Sequence, residues 1–171
     1  QTLTITTPPF NIIPPLVRPK QTGYKMDQFT NICIYAIVPD ILYAKEGGPF
    51  KTLKDFVENA KKLPGAVTVG GSGSSSANDL GTSMLNKAAG IQLTYVPFGG
   101  TGSAVPALLG GHVTALMSYS TMGVQYAGKF RALALASETR MDVLPDVPTF
   151  KELGYDVVEG AYRGVAAPPG T

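Results

Sequence analysis

The residues best suited to bind a small molecule lie in a loop of serines and glycines. Residues 68–81, TVGGSGSSSANDLG, are typical of a strand end, a small-residue loop and a helix start. Because the N-terminus of a helix carries partial positive charge, its N–H groups favour an anion. Hydroxyls can add to these donors at Ser72, Ser74, Ser75 and Ser76. Hydrogen bonds to a charged group are worth about 1.5–3 kcal/mol each, so a few predict micromolar binding of a carboxylate.

A second loop repeats this pattern. Residues 93–103, LTYVPFGGTGS, form a β-rich run followed by glycines, and residues 104–109 predict a short helix. In open parallel α/β sheets, loops after consecutive strands line the crevice at the carboxyl ends of the strands. We therefore interpret the two loops as half of an anion site. The alternative is that both are plain connectors, since turn chemistry alone explains glycine and serine.

Stricter templates for nucleotide binding and hydrolysis do not match. Residues 71–76 have serine where a dinucleotide fingerprint needs its third glycine, and Ser72 lacks the glycine that a nucleophile elbow needs two residues later. The loops contain no histidine or cysteine to activate a serine, and no His/Cys/Asp/Glu cluster has metal spacing. We expect a binding protein without catalytic activity, cofactor or metal. Asp79 either complements the helix dipole or faces the ligand.

Composition narrows the classes further. A chain of 171 residues with 44% hydrophobic residues suits one ordinary domain. Only 15% of the residues are charged, the net charge is +2, and the basic residues are scattered, which argues against nucleic acid as a partner. No apolar run reaches the roughly 18 residues of a membrane span, so we expect no direct membrane insertion. The chain opens inside a predicted strand at residues 1–6, which suggests a fragment or a processed chain.

The order of elements predicts the fold class. From residue 51 to 136, helical and extended patterns alternate, which favours a parallel sheet with right-handed crossovers. Thr52 and Asp55 have capping-box spacing at the first of these helices, and Gly90 is placed to end the second. Thr149 and Glu152 predict one more short capped helix.

An apolar run before this region predicts a buried strand. Residues 32–38, ICIYAIV, are almost continuously apolar, which is typical of a strand covered on both faces. Cys33 is then expected to be a buried and inert thiol. Pro39 and Asp40 are expected to break the strand, with a separate strand at residues 41–44.

Four ordered motifs carry a family resemblance. They are residues 96–113 (VPFGGTGSAVPALLGGHV), 128–134 (GKFRALA), 144–149 with 152–154 (LPDVPT, ELG) and 164–171 (GVAAPPGT). Together they resemble the periplasmic receptors of tripartite tricarboxylate transporters, the Bug-type solute-binding proteins, over nearly the whole chain.

The resemblance implies a two-lobed, Venus-flytrap receptor. Such a protein captures small organic carboxylates in the periplasm of a Gram-negative bacterium and delivers them to membrane transporter subunits. The family also has an earlier segment that forms the other half of the site, and this chain resembles only the portion of the receptor after that segment. The expected fold is α/β, a parallel, mixed-edge sheet flanked by helices, as the second lobe of a periplasmic-binding-protein-like fold. Residues 1–40 would connect from the first lobe, residues 41–160 form the ligand-binding domain, and residues 161–171 return toward the first lobe.

The resemblance also implies the ligand-binding residues. The first loop would contact the ligand carboxylate, directly or through water, the second would line the floor of the cleft, and the end of the third strand would lie beside the ligand's distal end. In that order the residues are Ser72, Gly73, Ser74, Ser75, Ser76 and Asn78; Pro97, Phe98, Gly99 and Gly100; Ser118 and Tyr119. Two departures bear on ligand identity: Asp79 stands where many members have histidine, and residues 117–128 are a little shorter than usual.

Two other functions compete with a carboxylate receptor. One is an α/β hydrolytic enzyme that uses a serine of the first loop, although no base is within reach in that loop. The other is a sensory or partner-binding domain with the same fold. The receptor hypothesis predicts that the ligand is a di- or tricarboxylate or a related acid, whereas the two other hypotheses predict no such ligand.

Overall fold

The chain folds into helices packed around a curled, mixed sheet. The computed structural model describes residues 3–9 and 11–170, so the part of the predicted first strand at residues 1–2 lies outside the described residues. The strands are β1 Thr4–Thr6, β2 Thr30–Lys45, β3 Thr68–Ser72, β4 Thr94–Phe98, β5 Ala115–Tyr119, β6 Phe130–Leu135 and β7 Gly160–Ala167. The helices are α1 Ile13–Val17, α2 Leu53–Lys62, α3 Ala77–Ala89, α4 Thr101–Leu109 and α5 Thr121–Gln125, with a 3₁₀ turn at Met26–Gln28.

Strand β2 is the element that joins two sets of strands. Its first part runs antiparallel to β7, from the pair Thr30 and Ala167 to the pair Pro39 and Gly160, and β7 also pairs with β1. Its second part lies between β5 and β6 and is antiparallel to both. One long strand therefore belongs both to a small sheet and to a larger one.

The larger sheet confirms the predicted α/β class. Its strand order is β4, β3, β5, β2 and β6, and β3 runs parallel to both β4 and β5. The parallel succession predicted from the alternating pattern is correct for these three strands. Strand β6 runs in the same direction as β5 but does not pair with it. Strand β2, which precedes the alternating region in the sequence, lies between the two.

The prediction for residues 32–38 is wrong. Ile32, Ile34 and Ile37 are 56%, 59% and 58% exposed, so this part of β2 is not covered on both faces. Cys33 is likewise exposed and not a buried thiol. The apolar run belongs to the small sheet, where these isoleucine side chains are more than half exposed among the described residues.

The predicted break at Pro39 and Asp40 is also wrong. A proline is tolerated in a strand where its missing N–H is not needed. Here the carbonyl of Pro39 accepts a hydrogen bond from the N–H of Ser120 over 2.9 Å. Strand β2 therefore continues through the two residues at which its partner changes from β7 to β5.

The local helix signals have a mixed outcome. The N–H of Asp55 donates to Oγ1 of Thr52 over 3.1 Å, which confirms the capping box of α2. Gly90 ends α3 in a left-handed conformation with φ +61°, as predicted. The helix predicted at Thr149 is a single turn, although its capping hydrogen bonds form, because Gly154 turns left-handed at φ +87°.

The core lies on both sides of the larger sheet and holds the site loops in place. Helix α2 buries Leu53, Phe56, Val57 and Ala60 against one side. Helix α4 packs on the other side with Val105 and Leu108. Within the described part of the chain, no helix has the length and apolar character to cross a membrane.

Candidate ligand-binding site

A cleft of about 230 Å³ opens where β3, β4 and β5 end. Its lining residues come from the two predicted loops, from the end of β5, from β7 and from the segment after β1: Thr7, Pro8, Pro9, Ser72, Gly73, Ser76, Ala77, Gly99, Tyr119 and Ala161. The loops meet directly, because the N–H of Gly73 donates to the carbonyl of Phe98 over 2.8 Å. The carboxyl ends of adjacent parallel strands thus border one cleft, and the two loops meet there as the sequence predicted.

The first loop is folded back to begin α3. Gly73 and Ser75 have φ of +67° and +63°, left-handed conformations that turn the chain sharply. Oγ of Ser76 caps the helix by accepting from the N–H of Asp79 over 3.3 Å. Oδ2 of Asp79 in turn accepts from the N–H of Ser75 over 2.8 Å, so this carboxylate is engaged within its own loop.

Helix α3 presents hydrogen-bond donors beside the cleft. The N–H groups of Ala77 and Asn78 stand at its first two positions, which have no partner within a helix. Ser76 and Ala77 line the cleft. The helix dipole adds partial positive charge at this end. This side of the cleft is therefore suited to a carboxylate.

Ser72, Asn78 and Tyr119 form a hydrogen-bond network in which each donor can be assigned. The backbone N–H of Ser72 lies 3.0 Å from Oδ1 of Asn78 and can only donate, so that atom is the amide oxygen. The same oxygen accepts from Oγ of Ser72 over 2.6 Å. Because the hydroxyl hydrogen of Ser72 is used there, Oη of Tyr119 donates to Oγ of Ser72 over 3.2 Å. The Ser72 side of the cleft therefore presents oxygen lone pairs, whereas the α3 side presents N–H donors.

The amide of Asn78 also contacts a buried acid that the sequence analysis missed. Its Nδ2 donates to Oδ1 of Asp40 over 2.8 Å. Asp40 is fully buried, and this desolvation raises its pKa to about 8, with a smaller contribution from Glu159. Among the buried side-chain nitrogen and oxygen atoms of the described residues, only Oδ2 of Asp40 lacks a hydrogen-bond partner. A neutral carboxyl group thus lies behind the first loop.

A cation at the cleft rim was missed as well. The guanidinium carbon of Arg163 lies 5.7 Å from the ring centre of Tyr119, and Nη1 donates to Oγ1 of Thr7 over 3.3 Å. Arg163 follows Ala161 by two residues in β7, so the two side chains share the cleft face of the strand. A signal was present, because Arg163 is the one charged residue in the strand GAYRGVAA.

The structure brings some of the predicted site residues together and leaves others aside. The cleft is lined by Ser72, Gly73, Ser76, Gly99 and Tyr119. The remaining seven lie nearby but not in its lining: Ser74, Ser75, Asn78, Pro97, Phe98, Gly100 and Ser118. Of these, Ser74 and Pro97 are exposed, while Asn78 and Ser118 are buried. Asn78 therefore supports the loop from behind.

A larger cavity of about 440 Å³ lies elsewhere, against the small sheet. Side chains of Ile5, Ile12, Phe29 and Ile34 contribute to its mostly apolar lining. It has neither the paired loops nor the beginning of a long helix, so it does not offer the helix N-terminus that the cleft offers to an anion. Among residues 3–9 and 11–170, no group of three or more His, Cys, Asp or Glu side chains is arranged to hold a metal ion.

Comparison with known proteins places the chain in a family. The model of the family described as "Tripartite tricarboxylate transporter family receptor" matches residues 2–171. The chain belongs to this receptor family. It is 36% identical over 124 residues to the "UPF0065 protein in gbd 5'region" of Cupriavidus necator, which is 72% of this chain and 38% of that protein.

Solved structures agree with the assignment to the receptor family. The periplasmic binding protein BugD superposes with a TM-score of 0.86 at 31% identity, covering 99% of this chain and 57% of that one. MatC from Rhodopseudomonas palustris, solved with bound malate, gives a TM-score of 0.84 at 29% identity, covering 99% and 59%. The resemblance inferred from the four motifs is thereby confirmed. This receptor-family chain spans a little over half the length of these two proteins.

Proposed function

We propose that this chain is the second lobe of a periplasmic receptor in a Gram-negative bacterium. The receptor captures small organic carboxylates, di- or tricarboxylates or related acids, and delivers them to the membrane subunits of a tripartite tricarboxylate transporter. The observation that carries the proposal is the cleft in which two strand-to-helix loops meet beside the N-terminus of α3. Membership in the receptor family and the malate bound to MatC support it.

The ligand carboxylate is placed at the α3 side of the cleft. The N–H group of Ala77, which lines the cleft at the first position of α3, donates to it, and the helix dipole stabilises its charge. A hydrogen bond to a charged group is worth about 1.5–3 kcal/mol, so about three strong ones supply the roughly 8 kcal/mol of micromolar affinity. A hydroxyl group on the ligand donates to the lone pairs on the Ser72 side, which suits a hydroxy acid such as malate.

The division of the chain also belongs to the proposal. Residues 1–40 connect from a first lobe, residues 41–160 form the ligand-binding domain, and residues 161–171 return. The change of partner along β2 supports these limits, since pairing with β7 ends at Pro39 and pairing with β5 begins at Asp40. We use the term complete receptor for this chain joined to the first lobe. In the complete receptor, the first lobe covers the exposed isoleucines of the small sheet.

A thermal-shift screen on the complete receptor tests the proposal. Di- and tricarboxylates, aromatic acids and acidic amino acids are each titrated, with uncharged amides of the same acids as controls. A true ligand stabilises the folded state by about 2.7 kcal/mol at a hundred times its Kd, and the shift grows with concentration. The absence of a response to every acid contradicts the proposal.

The geometry argues against the hydrolase alternative. Oγ of Ser72 donates to the amide oxygen of Asn78, which cannot act as a general base at neutral pH. Treatment with a serine-reactive phosphonate is expected to leave the protein unlabelled. Stoichiometric modification of Ser72 or Ser74 would establish a nucleophilic serine and favour the enzyme.

A further inference from the structure

Arg163 is a cation at the cleft rim with no acidic partner among the described residues. The ion pairs found there involve Lys54, Arg131, Arg140 and Lys151, all outside the cleft. Arg163 is half-buried, and the neighbours that hold it are Thr7 and Tyr119, which both line the cleft. Its charge is thus uncompensated beside the ligand space.

The acidic side chains near the cleft are engaged by other groups or buried. Asp79 accepts from the N–H of Ser75. Glu159 accepts from the N–H of Gly160 over 2.9 Å, and burial raises its pKa. Asp40 is fully buried behind Asn78. None of these acids forms an ion pair with Arg163, so its charge is available to a ligand.

The contacts of Arg163 hold the guanidinium without using up its donors. The aromatic ring of Tyr119 lies within cation–π range, which restrains the group. The hydrogen bond to Thr7 engages one of the five N–H donors of an arginine. An arginine restrained in this way can bind a carboxylate with two parallel hydrogen bonds.

We propose that Arg163, together with Oγ1 of Thr7, forms a second anion subsite at the rim of the cleft. It binds a distal carboxylate of the ligand while the N-terminus of α3 binds the first. The receptor then selects dicarboxylates over monocarboxylates of the same length. This inference rests on the proposed function, because it needs a first carboxylate in the cleft.

Calorimetric titration of the complete receptor tests the subsite. Succinate and adipate are compared with the monocarboxylates of equal carbon number, butyrate and hexanoate. The wild type is expected to bind at least one diacid about 10- to 100-fold more tightly than its monoacid, the difference that a charge-assisted contact gives. Arg163→Gln is expected to remove this preference, because it lowers diacid affinity by a much larger factor than monoacid affinity.

Two further variants separate a specific subsite from a general charge effect. Arg163→Lys keeps the charge but loses the paired donors, so it is expected to retain only part of the diacid preference. Lys54→Gln removes the same charge from an exposed position on α2 and is expected to bind like the wild type. Raising the salt concentration is expected to weaken diacid binding in the wild type more than in Arg163→Gln.

The outcomes distinguish the two proposals. If the wild type binds carboxylates but Arg163→Gln keeps the full diacid preference, the subsite is overturned and the receptor function stands. A loss of monoacid and diacid affinity by the same factor also overturns the subsite, because Arg163 would then act on the cleft as a whole. If no carboxylate binds, in this titration or in the thermal-shift screen, the receptor function falls and the subsite with it.

Discussion

Asn78 donates from Nδ2 to Oδ1 of the fully buried Asp40 over 2.8 Å, and this hydrogen bond fixes the amide that holds the first loop. Asp40→Ala removes the acceptor and leaves the Asn78 amide unsatisfied in the core. It is expected to lower the free energy of unfolding by about 1–3 kcal/mol, measured by chemical denaturation. Asp40→Asn keeps an oxygen for Asn78 and is the matched control, with a smaller loss. Equal losses in both variants would show that this hydrogen bond is not the stabilising feature.

Asp40 should also make stability depend on pH. Burial raises its pKa from 3.8 to about 8, so between these values the folded state binds more protons than the unfolded state. The stability that Asp40 contributes is therefore complete below about pH 3.8 and is lost as the pH rises toward 8. Among the ionisable groups near Asp40, Glu159 also has a raised pKa, so its contribution to stability likewise falls as the pH rises. The pKa values of Tyr43 and Tyr95 are raised as well, and these two groups titrate at higher pH.

Denaturation curves recorded across this pH range measure the effect. The free energy of unfolding of the wild type is expected to fall with rising pH, and the fall should be smaller in Asp40→Asn, which has no proton to lose. Glu159→Gln separates the contribution of the other acid. If Asp40→Asn shows the same dependence of the free energy of unfolding on pH as the wild type, the titrating group is not Asp40.

Gly71 is required by the close approach of Tyr95 to the first loop. A Cβ at Gly71 would lie 2.6 Å from Oη of Tyr95 and 2.8 Å from Cβ of Asn78. Gly71→Ala is therefore expected to cost about 1–3 kcal/mol of stability and to weaken ligand binding. Gly102→Ala is the control, because its Cβ would meet no atom within 4 Å and alanine favours the helix α4. If Gly71→Ala has the melting temperature of the wild type, the loop tolerates a side chain at this position.

Ser76 caps α3 and lines the cleft. Ser76→Ala removes the acceptor of the Asp79 N–H and is expected to cost about 1 kcal/mol of stability and to weaken carboxylate affinity. Ser74→Ala, an exposed position in the same loop, is expected to change neither quantity. Melting temperatures and titrations of the complete receptor compare the two. A stronger effect at Ser74 would reassign the contact within the loop.

The lone pairs on the Ser72 side predict a preference for hydroxy acids. Malate is expected to bind about fivefold more tightly than succinate, since one neutral hydrogen bond is worth about 1 kcal/mol. Ser72→Ala removes this acceptor and is expected to abolish the difference, as judged by competition titrations with the two acids. The same ratio in wild type and variant would place the ligand hydroxyl away from Ser72.

The local features of this protein depend on residues that are neighbours in the sequence. The capping box of α2 joins Thr52 to Asp55, and the turn before α3 uses the left-handed Gly73 and Ser75 of the loop itself. Such signals act within one or two helical turns, so the sequence alone predicts them. The family motifs add the receptor class for the same reason, since each is a short continuous run of residues.

The tertiary structure alone decided which distant residues meet. Asp40 and Asn78 are 38 positions apart, and Arg163 and Thr7 are 156 apart, so no local pattern links either pair. The apolar character of residues 32–38 predicted burial, but it cannot specify whether the covering surface comes from this lobe. Likewise, the sequence around Pro39 predicts the end of a strand. In the fold the strand continues through Pro39, because β2 changes its pairing partner there from β7 to β5. Contacts of this kind depend on how β2 crosses between two sheets, and that path is determined only when the whole chain packs.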